Sequence, residues 1–113
     1  MEKKNSVFIA TSLDGYIADK DGGLDWLNAI PNPDQIDMGY GDFMSQIDAL
    51  VMGRNTFETV CGFDMDWPYQ KPVFVLSSAL NEIPESYKGK AHLEKGPLRE
   101  VLARIHKQGY DRL

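Results

Sequence analysis

Strand-forming runs that pass directly into helical patterns are the feature that most constrains this chain. Residues 49–52 (ALVM) form a short apolar strand, Gly53 punctuates it, and residues 55–60 continue as a helix. Residues 72–77 (PVFVLS) are the clearest strand of the sequence, rich in β-branched and aromatic side chains. Residues 91–93 read as another strand. A helix then opens near Pro97, whose missing N–H costs nothing in a first turn. Its apolar face is Leu98, Val101, Leu102 and Ile105, and Gly109 suits the position just past its end. Such alternation predicts parallel strands joined by right-handed crossovers, with helices covering both sheet faces. Ligands of these sheets sit at the carboxyl ends of the strands. That rule directs attention to three places: from Asp14 onward, from Gly53 onward and from Ser77 onward.

The first of these places follows another expected strand, residues 6–12 (SVFIATS), read as buried and broken by Asp14-Gly15. Residues 16–18 return briefly to apolar character, and residues 19–23 (DKDGG) read as a loop. A short helix is expected over residues 24–30, ended by Pro31. Between Asp37 and Gln46, the spacing of Tyr40, Phe43, Met44 and Ile47 predicts one apolar helical face. Residues 61–70 read as a loop. The 113 residues fit a single domain, 1–113. Residues 110–113 fall where the strand after a crossover helix should begin, so a truncated domain is expected.

Charge narrows the function. The net charge is -5 and the pI about 4.9, whereas a nucleic-acid surface needs clustered Lys and Arg. An anionic small ligand is compatible, because a few local donors hold a phosphate. Cys61 is the one cysteine, so no internal disulfide forms, and a reducing cytoplasm is the expected compartment. Cys61 itself reads as a small buried residue without a neighbouring base. No apolar run approaches the roughly 20 residues of a membrane helix. His92 and His106 are isolated from each other and show no metal-ligand spacing.

Gly53, Arg54, Asn55 and Thr56 form the strongest motif. Backbone N–H groups at a helix start lack internal partners and carry partial positive charge. Glycine lets a phosphate approach the backbone, arginine can fork onto it, and Asn55 and Thr56 add donors. The competing reading is an ordinary strand-to-helix turn with a solvated arginine.

Together, three segments carry a resemblance to a known family. VMGRNTFE (residues 51–58) is similar to the pyrophosphate-binding turn of the dihydrofolate reductase-like superfamily. SLDGYIA (residues 12–18) resembles the signature of its riboflavin-biosynthesis reductase branch and of stand-alone bacterial proteins like it. VFVLSS (residues 73–78) matches the adenosine end of the same cofactor site. The resemblance implies a three-layer α/β/α dihydrofolate reductase-like fold with a mainly parallel central sheet. It implies NADPH as cofactor, with Gly53, Arg54, Asn55 and Thr56 at the phosphates, and Ser77 and Ser78 at the ribose 2′-phosphate. Backbone near Ala10 and Ile17 would meet the nicotinamide carboxamide. Hydride would pass to a heterocyclic substrate such as 5-amino-6-(5-phosphoribosylamino)uracil, held near Asp14, Trp26, Tyr40 and Phe43. Asp14 reads equally as a turn former, and Trp26 as plain core.

Two departures accompany the resemblance. The carboxylate expected on the first long helix has only Asp37 and Asp42 as candidates, neither at the family's helix start. The family's Gly-Gly turn would lie on a strand beyond Leu113, so weak or no reductase activity is expected of residues 1–113 alone. An unpaired sheet edge invites association, and a homodimer is expected. The alternative is a non-catalytic nucleotide-binding or interaction protein that keeps the fold.

Overall fold

The computed structural model describes residues 4–62 and 67–113. Part of the expected loop at residues 61–70, namely 63–66, lies outside the described residues. The chain divides into two compact units. One comprises Ile47–Leu113 with the N-terminal residues up to Asn5, and the other is Ser6–Gln46.

The larger unit is built on a parallel sheet. Strands β1 (Leu50–Gly53), β2 (Val73–Leu76) and β3 (Ala91–Glu94) lie in the order β1-β2-β3. Helix α3 (Arg54–Cys61) follows β1, and helix α4 (Leu98–Lys107) follows β3. Period-two alternation along β2 sends its side chains to opposite faces. Phe74 packs with Ala49, Val101, Ile105 and Leu113 on one face, and so under α4. Val73 and Val75 pack with Phe57, Ile83 and Ala91 on the other, and so under α3. Helix, sheet and helix thus form three layers, as the alternating sequence pattern requires. Fully burying such a valine or phenylalanine is worth about 1.5–3 kcal/mol, so β2, buried on both faces, anchors the unit.

The end of α4 follows its sequence signals. Gln108 caps the helix, and Gly109, at φ 101°, turns the chain away. The N–H of Gly109 reaches the carbonyl of His106 at 2.9 Å. Pro97 is the N-cap residue rather than the first helical one. Leu98 departs from its expected place on the apolar face: it is 56% exposed, while Val101 and Ile105 are buried. It sits in the first turn, and the sheet receives the helix one turn later. Cys61 is half-buried rather than fully so.

In the smaller unit, helices α1 (Asp25–Asn28) and α2 (Tyr40–Ser45) are short and bury no residue. Two sequence expectations fail here. Residues 6–12 form no strand, and Val7 and Ile9 are exposed. A strand exists only when a neighbour takes up its N–H and C=O groups. The ladder contact at this end of the chain is the isolated parallel bridge Lys4↔Arg112, which stops short of residue 6. The second failure concerns Ile47, expected to share the face of Tyr40 and Phe43. It lies beyond the end of α2 and is buried in the larger unit.

Candidate functional site

The parallel register sets Gly53 abreast of Leu76, and Leu76 abreast of Glu94. The next residues, Arg54 and Ser77, therefore emerge side by side at the carboxyl end of the sheet. Gly53 is the N-cap of α3 in extended conformation, and no side chain caps the helix. The first N–H groups of α3 thus lack both an intrahelical partner and a side-chain substitute. A Cβ placed on Gly53 would meet no atom within 4 Å. The glycine is not demanded by packing of the chain on itself; what it leaves is open space above the helix start.

Arg54 is exposed, as are Asn55 and Thr56. The Arg54 guanidinium pairs through Nε with Glu58 one turn along, at 3.6 Å. Such exposed pairs are weak, about 0.3–0.5 kcal/mol, and a dianion would outcompete this one. Ser77 is half-buried, and its Oγ accepts N–H bonds from Ala79 at 3.2 Å and Leu80 at 3.0 Å. The hydroxyl proton of Ser77 is left to donate, because those bonds use only its lone pairs. Ser78 is exposed beside it. At the end of β3, Arg104 is committed to Glu94 at 3.0 Å and to the Lys95 carbonyl at 2.7 Å.

In the smaller unit, Asp14 and Trp26 come together on a cavity of about 500 Å³, with Ser12, Tyr16 and Lys20. The Ser12 hydroxyl donates to the Asp14 carboxylate, and the Tyr16 N–H donates to Ser12 Oγ at 3.1 Å. Asp14 is thereby both a turn residue and a cavity wall. Trp26 is half-buried on α1, which contributes nothing to a core. Tyr40 and Phe43 gather instead around Phe8, with ring centroids at 5.4 and 5.2 Å. Ala10 and Ile17 are exposed and do not line the cavity.

Asp37 precedes α2, and both its carboxylate oxygens are engaged. Oδ1 accepts the Gly39 N–H and Oδ2 the Gly41 N–H, each at 3.0 Å. These bonds, Gly41's first, hold the Asp37 carboxyl below the usual carboxylate value. Asp42 lies in the first turn of α2 and is exposed. Lys71 and Lys90 escaped the sequence reading, which takes His92 only as an isolated histidine. They converge at the amino-terminal end of the sheet, a grouping that no spacing along the chain announces. Among the described residues, no group of three or more His, Cys, Asp or Glu could hold a metal ion.

The architecture is the α/β, dihydrofolate reductase-like arrangement, a parallel sheet between helices with its candidate site at the strand ends. A solved structure of a Shewanella sp. PV-4 protein ascribed to riboflavin biosynthesis superposes with a TM-score of 0.90 at 52% identity, over 98% of this chain and 62% of that one. The Bacillus subtilis (strain 168) uncharacterized protein YwjB is 40% identical over 88 residues, which are 77% of this chain and 47% of YwjB. A second protein of that organism, the uncharacterized YyaP, is 44% identical over 50 residues, 24% of its length. The chain thus spans about half or less of the curated relatives it matches. No family model matches it. No helix among the described residues is long and apolar enough to cross a membrane.

Proposed function

We propose that this chain belongs to an NADPH-dependent reductase of the riboflavin-biosynthesis type. One observation carries the reading. Gly53 leaves open space at the uncapped start of α3, and register sets Arg54 and Ser77 next to it. A helix start with these donors suits a phosphate. Asn55 and Thr56 would share the pyrophosphate, and Ser77, Ser78 and Arg54 the ribose 2′-phosphate. Ala10 and Ile17 would offer backbone groups to the nicotinamide, which supplies the hydride. The ascription of the Shewanella protein supports a phosphoribosylamino-uracil substrate, with Asp14 and Trp26 at its ring. A cytoplasmic homodimer completes the proposal.

Titration with NADPH, followed by nucleotide fluorescence on the full-length gene product, tests the reading. Arg54→Ala should weaken NADPH about tenfold to a hundredfold, the value of a charged hydrogen-bonding partner, and NADH far less. Absence of binding at millimolar NADPH would overturn it. The commitment of both Asp37 oxygens to backbone N–H groups favours a second reading, a nucleotide-binding protein without catalysis. That reading predicts NADPH binding with no NADPH oxidation in the presence of the aminouracil substrate.

A further inference from the structure

The carboxyl end of the sheet carries a negative charge that an anion there must tolerate. Glu94, the last residue of β3, lies abreast of Leu76, so its backbone adjoins that of Ser77. The Ser77 N–H donates to the Glu94 carbonyl at 3.2 Å. The Glu94 side chain is only 16% exposed, so solvent screens its carboxylate poorly. One residue of strand rises about 3.3 Å, and neighbouring strands lie about 4.8 Å apart. The carboxylate therefore stands within a Debye length of Ser77, about 8–10 Å. Left uncompensated, it would repel a phosphate at that rim.

One side chain answers that charge. Ala91 and Leu93 pack on the α3 side of the sheet, so alternation turns Glu94 toward α4. There Arg104 donates to Glu94 Oε2 from Nε at 3.3 Å and from Nη2 at 3.0 Å. Nη2 also donates to the Lys95 carbonyl at 2.7 Å, which ties down the chain as it leaves β3. Among the described residues no other cation pairs with Glu94. Ser77 in turn holds the next turn, its Oγ accepting the N–H groups of Ala79 and Leu80. Arg104, Glu94 and Ser77 thus form one chain of contacts from α4 to the rim.

Given the proposed NADPH site, on which this rests, we infer that Arg104 is a positioning residue for the ribose 2′-phosphate, acting through Glu94 and Ser77 rather than by contact. It cancels the Glu94 charge and fixes the strand end to which Ser77 is bonded. Strand order makes the effect selective. The pyrophosphate, common to both nicotinamide nucleotides, would lie at Gly53 on β1, a strand further from Glu94 than Ser77 is. The 2′-phosphate, which NADH lacks, would lie beside it. Preference for NADPH over NADH therefore depends on Arg104.

Fluorescence titration of the full-length gene product with NADPH and with NADH tests this role, in the parent, in Arg104→Gln and in the double variant Arg104→Gln/Glu94→Gln. Arg104→Gln should weaken NADPH about fivefold or more and NADH less than about twofold, because the freed carboxylate acts chiefly on the added phosphate. Raising the salt concentration should shrink that defect. Removing the carboxylate as well should bring NADPH back to within about threefold of the parent, a recovery that a merely structural arginine would not give. Arg104→Lys, the milder change, keeps the charge and should keep the preference for NADPH. An Arg104→Gln defect equal for the two nucleotides, no recovery in the double variant, or loss of the preference in Arg104→Lys would each overturn the role. A parent protein that binds no NADPH overturns the proposed function itself. A parent that binds NADPH, with its preference unmoved in Arg104→Gln, overturns the role of Arg104 alone.

Discussion

Asp48 holds the Arg112 backbone with both its carboxylate and its own N–H, across 64 positions of sequence. The carboxylate Oδ2 of Asp48 accepts the N–H groups of Arg112 at 2.9 Å and Asp111 at 3.0 Å. In return the carbonyl of Arg112 accepts the N–H of Asp48 at 2.7 Å. This clamp joins the lead-in of β1 to the segment after α4, where Leu113 completes the core cluster beneath that helix.

The clamp makes stability acid-sensitive. The Arg112 N–H bond, foremost, holds the Asp48 carboxyl below its ordinary value. A carboxyl depressed in the folded state contributes stability that is complete above the ordinary carboxylate range. It is lost as pH falls through the depressed folded value. Urea midpoints measured from pH 7 down to pH 2.5 should fall less steeply in Asp48→Asn than in the parent chain. Asp48→Ala should lower the midpoint at pH 7 as well.

Ile105 and Leu98 stand on the same helix with opposite expected costs. Ile105 is fully buried, and Leu98 is largely exposed. Ile105→Ala should destabilise by about 2–5 kcal/mol, the range for core truncations. Leu98→Ala should stay within about 0.5 kcal/mol. Denaturant unfolding of the two variants side by side gives both numbers, and similar losses would refute the assignment of the buried face.

Gly109 is required by its backbone. At φ 101° it occupies a conformation that L side chains rarely adopt, and left-handed backbone costs them about 1–2 kcal/mol. Gly109→Ala should destabilise by about that amount although its Cβ meets nothing within 4 Å.

Gly53 makes the opposite case. Its φ is -83°, and its surroundings are empty. Gly53→Ala should therefore change unfolding free energy by less than about 1 kcal/mol, the usual size of an N-cap effect. Under the proposed function it should weaken NADPH at least tenfold, since the added methyl fills the space a phosphate would enter. Retained affinity in a folded variant would remove Gly53 from the site.

Much of the sheet unit was determined by sequence alone. Residues 73–76 are apolar at every position, which suits a strand buried on both faces, and Val101 and Ile105 are spaced to face one way. Gly53 and Gly109 announced the ends of their elements because the backbone need is local. Those are properties a residue carries with its nearest neighbours. Tertiary structure alone decided whether residues 6–12 were a strand, since strand character depends on a hydrogen-bonding partner. It decided that Ile47 leaves the face of α2 for another core, and that Leu98 stays in solvent. It also gathered Lys71, Lys90 and His92 at one rim, because parallel register, not spacing along the chain, sets which strand ends meet.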